Sequence, residues 1–294
     1  MKKLKLRISN RRLSRSVGGD IFIFVIIFAT AAFMALPLVY TISQALKPLN
    51  EIFLFPPQFF PRHPTLDNFS DLFLLMAQSW VPITRYLFNS LVVVVLGTAG
   101  NVLLGSLCAY ALAKHDFPGK ALINSAILLS LMFAGAVLLI PHYLTMAYLN
   151  WIDNLASIIV PAWGATLGVF LMRNFIDHMV HDSLLEASRI DGASEFKIWW
   201  RVVMPIVKPA WLTLTILSFQ SLWGDAGGQS TLFIYREELK PLPYALSQII
   251  GGGVGRAGVA AAVTVILMVV PITVFIINQS QIVQTMGTSG ITGE

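Results

Sequence analysis

Long apolar runs without a charged residue limit the folds open to this chain more than any other feature. Six such runs occur, and most of them have the length of about 20 residues that a helix needs to cross a bilayer. They cover residues 21–46, 86–113, 121–151, 154–172, 209–224 and 257–277. Only 12% of the residues are charged, whereas soluble domains have about 25%. The sequence therefore predicts an all-α integral membrane protein with six transmembrane helices.

Two of the six runs differ from the usual length of a span. The run 121–151 is too long for one helix across a bilayer, so it is expected to contain a span followed by an external turn near Asn150. The run 209–224 has only 16 residues and is predicted to be a short fifth span. The count of six helices includes both runs.

The distribution of lysine and arginine predicts the orientation of these helices. Seven basic residues lie within positions 1–19, and six spans place both termini on the same side. That side holds 14 of the 20 lysines and arginines, so both termini are predicted to be cytoplasmic. The expected organisation is a basic cytoplasmic segment at 1–19, a membrane domain at 20–280 and a cytoplasmic tail at 281–294. The net charge of +5 follows from this topology, and no nucleic-acid partner is expected.

Residues that would support enzymatic chemistry are sparse. Cys108 is the single cysteine, which excludes an intrachain disulfide and a cysteine metal motif. Gly119 begins the only Gly-Lys pair, and it lacks the upstream glycine of a phosphate-binding loop. His178 and His181 could share a helix face, but two histidines are a weak metal signal. We therefore predict no enzyme activity, no metal site and no cofactor bound by this chain.

A polar segment separates the fourth run from the fifth and has the pattern of two short helices. Ser183 and Glu186 have the spacing of a capping box, which predicts a helix over about 183–191. Gly192 suits the end of that helix, Ser194 could cap the next one, and Pro205 should stop it. The second helix carries apolar residues predicted to be exposed: Phe196, Ile198, Trp199 and Trp200. Such a segment could be a surface for a partner protein or an amphipathic connector lying on the membrane.

The spacing within this segment resembles a known family pattern. Glu186-Ala187-Ser188 is followed after three residues by Gly192, and nine further residues lead to Val202-Val203-Met204-Pro205. This pattern is similar to the cytoplasmic signature loop of permease subunits in binding-protein-dependent ATP-binding cassette (ABC) importers. The resemblance implies a helix-turn-helix coupling loop at about 176–208, between helices 4 and 5, that docks on an ATPase. The coupling residues it implies are Glu186, Ala187, Asp191, Gly192, Ala193, Phe196 and Pro205.

Two further stretches resemble the carbohydrate-uptake branch of that family, the maltose-permease type. They are the first external loop, at 46–53 and 64–69, and the end of the chain at 281–286. The resemblance implies half of a translocation path for a carbohydrate, in the bacterial plasma membrane. The implied partners are a second related permease, two ATPase subunits that bind ATP and Mg²⁺, and an extracytoplasmic binding protein. The run 223–228 departs from the family pattern.

Neutral polar residues inside the predicted spans could line a path for a sugar. Among them, Gln220 is predicted to face the path together with Trp223, whose indole could cover the apolar side of a sugar ring. The others are Asn89, Asn101, Thr213, Thr215, Ser218 and Ser221. Each residue could equally serve packing between helices. The glycines at 251–255 could form the hinge of a finger that reaches the binding protein, or a plain flexible loop.

Other functions remain open at the level of sequence. A permease of the same class could carry a peptide, an amino acid or a polyamine. A secondary carrier would usually show an internal repeat and charges within the spans, and the sequence displays neither. A membrane enzyme would need a nucleophile and a base that converge within a span. Among these functions, that of an importer permease explains the sequence features of the largest part of the chain.

Overall fold

The described part of the chain is helical throughout. The computed structural model describes residues 17–77, 80–133, 135–224, 232–250 and 253–289, and these residues form no strand. The first helices are α1 (Val17–Ala45), α2 (Leu49–Ile52), α3 (Asp67–Ala77), α4 (Ile83–Lys114), α5 (Lys120–Ser130), α6 (Gly135–Tyr148), α7 (Ala156–Trp163) and α8 (Thr166–Met179). They are followed by α9 (Asp182–Ile190), α10 (Glu195–Ile198), a π-helical turn (Trp199–Val203), α11 (Met204–Ile206), α12 (Lys208–Gly224), α13 (Leu242–Ile250) and α14 (Ala257–Ser289). Short 3₁₀ turns occupy Glu237–Leu239 and Val254–Arg256.

Four helical stretches among the described residues are long and apolar enough to cross a membrane. They are Gly18–Ala45, Ile83–Lys114, Ala156–Met179 and Ala257–Ile277. A fifth span results if Glu195–Ile206 and Lys208–Gly224, which meet at an angle of 84°, count as one bent element. The prediction of an all-α, multi-pass membrane protein is therefore confirmed, whereas the count of six spans stays a prediction.

The run 121–151 forms two short helices rather than one long one. After α5 ends, the N–H groups of Met132 and Phe133 donate to carbonyls three residues earlier, and these tight turns end the helix. The chain resumes as α6 at Gly135, a residue with low helix propensity. The predicted turn near Asn150 is present, with Asn150 at φ +56°.

Helix α4 is the centre of the bundle. It packs on α7, α8 and α12, while α14 packs on α1, α3, α12 and α13. The α4–α7 contact depends on Gly100, because a Cβ at that position would overlap the indole of Trp163. That indole donates from Nε1 to the carbonyl of Leu96 at 2.9 Å. The residues of α1 are mostly exposed and apolar, which suits a lipid-facing helix.

The α1–α4 connection and the 232–250 segment lie at the same end of the bundle. Asn68 on α3 donates from Nδ2 to the carbonyls of Ala45 and Lys47, at 2.8 and 2.7 Å. A Cβ on Gly258, at the start of α14, would overlap the same Asn68 side chain. Helix α3, which begins at Asp67, thus joins the end of α1 to the start of α14.

The charged stretch 236–240 makes several hydrogen bonds to the start of α4. Asn89 on α4 donates from Nδ2 to the carbonyls of Glu238 and Lys240, at 2.7 and 3.1 Å. Tyr86 donates its hydroxyl to Glu237 at 3.0 Å, and Lys240 is only 9% exposed. Polar residues at the start of α4 therefore hold this stretch against the bundle.

Candidate functional site

Gly192 ends α9 in a Schellman motif. Its φ is +76°, in the left-handed region that glycine adopts without strain. The N–H of Gly192 donates to the carbonyl of Arg189 at 3.0 Å, and the N–H of Ala193 donates to that of Ser188 at 3.1 Å. These two bonds satisfy carbonyls that the end of a helix would otherwise leave free. The prediction of a left-handed turn at Gly192 is confirmed.

The capping box predicted at the start of α9 is wrong. His181 occupies the N-cap position, without a side-chain cap, and Ser183 lies inside the helix as its second residue. Asp182 provides the first-turn acid and accepts a hydrogen bond from Lys114 at 2.9 Å. This bond lowers the pKa of Asp182 below its ordinary value. The helix thus begins where α4 provides a counter-charge, a contact that local spacing could not reveal.

The second half of the segment extends slightly further than predicted. Ser194 takes the predicted N-cap position in extended conformation, but its side chain makes no cap bond. Helix α10 widens into the π-helical turn, where the N–H of Met204 donates to the carbonyl of Trp199. Pro205 lies within α11, and the helix ends after Ile206. We call residues 182–206 the knob.

Glu195 joins the two halves of the knob to the end of α4. Its Oε1 accepts a hydrogen bond from Arg189 at 2.7 Å, across the Gly192 turn. Its Oε2 accepts one from the Tyr110 hydroxyl at 2.7 Å and lies 3.2 Å from His115 Nε2. The bonds from Arg189 and Tyr110 hold the pKa of Glu195 at about 2, against an ordinary value of 4.5. The carboxylate therefore stays ionised and fixes the knob to α4.

The base of the knob is buried, contrary to part of the prediction. Ile198 and Trp199 were expected to be exposed, yet they are 0% and 2% exposed. They pack in a cluster with Tyr110, Met172 and Ile176, from α4 and α8. Because half of the surface of a helix must meet the bundle, the sequence could not say which of its aromatic residues would face inward.

The outer surface of the knob keeps several large apolar side chains exposed. Ile190 is 85% exposed, Phe196 is 65% exposed and Trp200 is 52% exposed. The residues predicted to couple lie on the knob as follows: Glu186, Ala187, Asp191, Gly192, Phe196 and Pro205 are exposed, and Ala193 is half-buried.

Sequence reasoning missed Tyr110, Lys114 and His115, which hold the knob from about 70 to 85 residues away in the chain. No local signal marks them.

A cavity of about 620 Å³ lies between α4, α7, α8 and α12. Its lining includes Asn101, Pro161, Gly168, Leu214, Ser218 and Ser221. The Nδ2 of Asn101 donates to Ser218 Oγ, which links α4 to α12. Of the neutral polar residues noted in the sequence, Asn101, Ser218 and Ser221 thus meet at one site.

Gln220 and Trp223, which the sequence placed together on a path, have different surroundings. Gln220 is exposed. Trp223 is 5% exposed, donates from Nε1 to the carbonyl of Leu267 at 3.1 Å and stacks on Phe219. Of the two roles that the sequence left open, packing between α12 and α14 fits Trp223, and the path role of both residues stays a prediction.

The remaining sequence predictions concern metal ligands, two histidines and several segments outside the described residues. Within the described residues, no group of three or more His, Cys, Asp or Glu side chains could hold a metal ion. His178 and His181 are exposed on the approach to the knob. Three predicted features lie outside the described residues: the basic segment 1–16, the departure from the family pattern at 225–228, and the hinge glycines 251–252.

Comparison with known proteins identifies the family. The sequence pattern of the binding-protein-dependent transport system inner membrane component matches residues 101–286. The chain is 29% identical to the sulfoquinovosyl glycerol transport system permease protein SmoH of Agrobacterium fabrum, over 87% of this chain and 88% of that protein. It is 27% identical to the arabinooligosaccharides transport system permease protein AraQ of Halalkalibacterium halodurans, over 90% and 94% of the two chains.

A third relative supports this assignment, and a solved structure has a similar fold. The sn-glycerol-3-phosphate transport system permease protein UgpE of Yersinia enterocolitica is 30% identical over 74% of this chain and 76% of that protein. The fold is similar to that of a bacterial ABC transporter for the acidic polysaccharide alginate. That match has a TM-score of 0.75 and 23% identity, and it covers 91% of this chain and 99% of the other. The chain therefore belongs to the family of binding-protein-dependent transport system inner membrane components, and it is a multi-pass permease of the bacterial plasma membrane.

Proposed function

We propose that this permease forms half of the translocation path of an ABC importer for a carbohydrate and that its knob couples the path to an ATPase. The observation that supports the coupling role is an exposed apolar surface above a buried, well-packed base. Ile190, Phe196 and Trp200 are exposed, while the residues beneath them are buried against α4 and α8. Exposed aromatic residues on a well-packed element are typical of a protein interface.

The knob is suited to move as one body with the bundle. Glu195 bonds to Tyr110, and Asp182 bonds to Lys114, so both halves are fixed to the last turn of α4. Helix α12 begins directly after the knob, across the 84° bend. A displacement of the knob by an ATPase that closes on ATP would thus act on α4 and α12 together. These two helices line the cavity, which supplies a physical link between ATP binding and access to the solute.

A carbohydrate is the solute that the relatives favour. The permeases named above belong to systems for arabinooligosaccharides and sulfoquinovosyl glycerol, although one belongs to a glycerol phosphate system. The chain would work with a second related permease, two ATPase subunits that bind ATP and Mg²⁺, and an extracytoplasmic binding protein. ATP hydrolysis would fall to those partner subunits. Peptide, amino-acid or polyamine uptake by the same machinery is the alternative.

Six spans complete the proposed topology. In it, α5 and α6 together form the third span, and α12 forms the fifth. The amino terminus, the knob and the tail 281–294 face the cytoplasm. The knob lies at the carboxyl end of α4, whereas the 232–250 segment bonds to its amino end, so the two are on opposite sides of the bundle.

Co-purification tests the docking role directly. The tagged permease, extracted from its own membranes, should retain an ATPase subunit. A Phe196→Ala, Trp200→Ala double variant should reduce the recovered ATPase at least about ten-fold, because aromatic anchors carry much of the binding energy of an interface. Phe28→Ala, an equally exposed aromatic position on α1, is the matched control. Full ATPase recovery with the double variant would place the docking surface elsewhere, and no ATPase with the parent chain would remove the importer assignment.

The orientation has its own test in intact cells. Cysteines introduced at positions 60 and 238, in a Cys108→Ser background, should react with an impermeant thiol reagent. Cysteines at positions 4 and 195 should react only after the membrane is opened. Labelling of position 195 from outside would reverse the topology and would contradict the coupling role of the knob.

A further inference from the structure

The cavity between α4, α7, α8 and α12 has a neutral lining. The described residues that line it include three with polar side chains, Asn101, Ser218 and Ser221, and none with a charge. The rest of the lining is apolar or glycine, with Leu214 and Leu217 among the larger side chains. Its volume of about 620 Å³ falls within the range of about 300–1,000 Å³ typical of small-molecule sites.

Asn101 leaves one polar atom of this cavity without a partner. The side chain is 2% exposed, and its Nδ2 is used by Ser218. Its Oδ1 is buried and has no hydrogen-bond partner among the described residues. If the amide were turned over, the nitrogen would be the unpaired atom, so one end of the amide is free in either orientation. Buried polar atoms without partners are rare and call for an explanation.

The backbone of α8 approaches this free atom closely at Gly168. A Cβ at Gly168 would lie 3.0 Å from Asn101 Oδ1 and 2.9 Å from Leu214 Cδ1. Any other residue would therefore press on the amide and on the apolar wall next to it. The buried amide oxygen therefore lies in the wall of an otherwise apolar cavity, next to a glycine and not a larger side chain.

We propose that this cavity is a subsite for a ring of a neutral, hydroxyl-bearing solute and that Asn101 bonds one of its hydroxyl groups. The inference rests on the proposed transport function and narrows its substrate class. A sugar hydroxyl can donate to the free amide oxygen, while Ser221 offers a second polar contact. Leu214 and Leu217 can cover the apolar faces of the ring. Trp223 is not among the described residues that line this cavity.

The neutral lining argues against anionic solutes at this subsite. A carboxylate, phosphate or sulfonate that leaves water needs a cation or several N–H donors to replace its hydration. The described lining offers no arginine, lysine or histidine. The chain should therefore differ in solute from relatives whose systems carry glycerol phosphate or a sulfonated sugar, and it should favour neutral oligosaccharides.

A role of Asn101 in packing alone does not explain the free atom. The bond from Asn101 to Ser218 accounts for one end of the amide only. A solute hydroxyl group in the cavity would give the unpaired end a partner. A packing role and a solute-binding role therefore predict different results for variants at Asn101 and Ser218.

Protection from chemical labelling tests the subsite in the purified permease with its co-purified subunits. A Ser221→Cys variant in a Cys108→Ser background places one thiol on the cavity wall. The neutral probes are arabinotriose and diacetylchitobiose, and the anionic probes are sn-glycerol 3-phosphate and digalacturonate. We expect at least one neutral probe to slow the reaction of the thiol with N-ethylmaleimide, and neither anion to do so.

Variants identify the residue responsible. Asn101→Ala should raise the probe concentration for half-protection about five-fold or more, the size expected for one lost hydrogen bond. Ser218→Ala removes the same interhelical bond and retains the free amide, so its effect should be smaller. Ser106→Ala, another buried polar position on α4 outside the cavity lining, is the matched control and should have no effect.

Three results would overturn the inference: protection by an anion, no protection by either neutral probe, or equal effects of Asn101→Ala and Ser218→Ala. The first two results come from the Ser221→Cys, Cys108→Ser chain alone and do not depend on the folding of the Asn101 or Ser218 variants. Failure of the proposed function would appear instead as a loss of ATPase co-purification with the parent chain. The two failures are therefore distinguishable.

Discussion

Substitutions at Gly192 can distinguish a loss of stability caused by backbone strain from a loss of ATPase docking. The structure allows the cost of the strain to be estimated. Gly192 has a φ of +76°, and a Cβ built there meets no atom within 4 Å. A side chain at this position therefore costs no packing within the chain. Gly192→Ala should therefore lower the free energy of unfolding only by the cost of holding alanine in the left-handed conformation, about 1–2 kcal/mol. Gly192→Asn should cost less, because asparagine tolerates this conformation better than alanine.

These costs are small beside the stability of a folded domain, which is about 5–15 kcal/mol. All variants should therefore reach the membrane and keep the knob folded. On the proposed docking role, Gly192→Asp should abolish uptake, because its side chain adds bulk and charge at the exposed turn where the ATPase would bind. The functional loss would then exceed what strain can explain.

The assay compares three measurements on Gly192→Ala, Gly192→Asn and Gly192→Asp. Thermal unfolding of the purified chain reports strain, ATPase co-purification reports docking, and uptake in cells reports coupling. Equal unfolding stability of the alanine and asparagine variants would refute the argument from φ. Normal ATPase association and uptake in Gly192→Asp would refute the docking role of the turn.

Two further predictions concern what holds the knob and the bundle. Glu195→Gln should lower the unfolding temperature of the purified chain at neutral pH, because Arg189 loses its carboxylate. Since the pKa of Glu195 is lowered to about 2 in the folded chain, its contribution is full above about pH 4.5 and is lost as the pH falls towards 2, so the parent and the variant should converge there. A difference that persists at about pH 2 would contradict the assignment. Gly100→Ala should destabilise the chain by about 1–3 kcal/mol through overlap with the Trp163 indole, measured by the same unfolding assay. Gly135→Ala, whose added Cβ meets nothing within 4 Å, is the control, and equal effects of the two substitutions would refute the close contact.

The sequence by itself determined the features that depend on local chemistry. Apolar runs such as 86–113 and 257–277 specify spanning helices, because the backbone polar groups must be satisfied within the segment in a bilayer. Gly192 specifies the end of α9, since a left-handed turn is a property of one residue and its neighbours. The spacing from Glu186 to Pro205 carried the family resemblance, and the match over residues 101–286 agrees with it.

Only the tertiary structure decided which side of each element meets the bundle. Ile198 and Trp199 face inward while Phe196 and Trp200 stay exposed, although all four are apolar. Glu195 accepts a hydrogen bond from Tyr110, 85 residues earlier in the chain, and Asn101 donates one to Ser218, 117 residues later. Helix propensity and caps act over a few residues, whereas burial and hydrogen-bond partners depend on which distant helices are adjacent. For that reason the knob was foreseeable from the sequence, while its attachment to α4 and the cavity beside Asn101 were not.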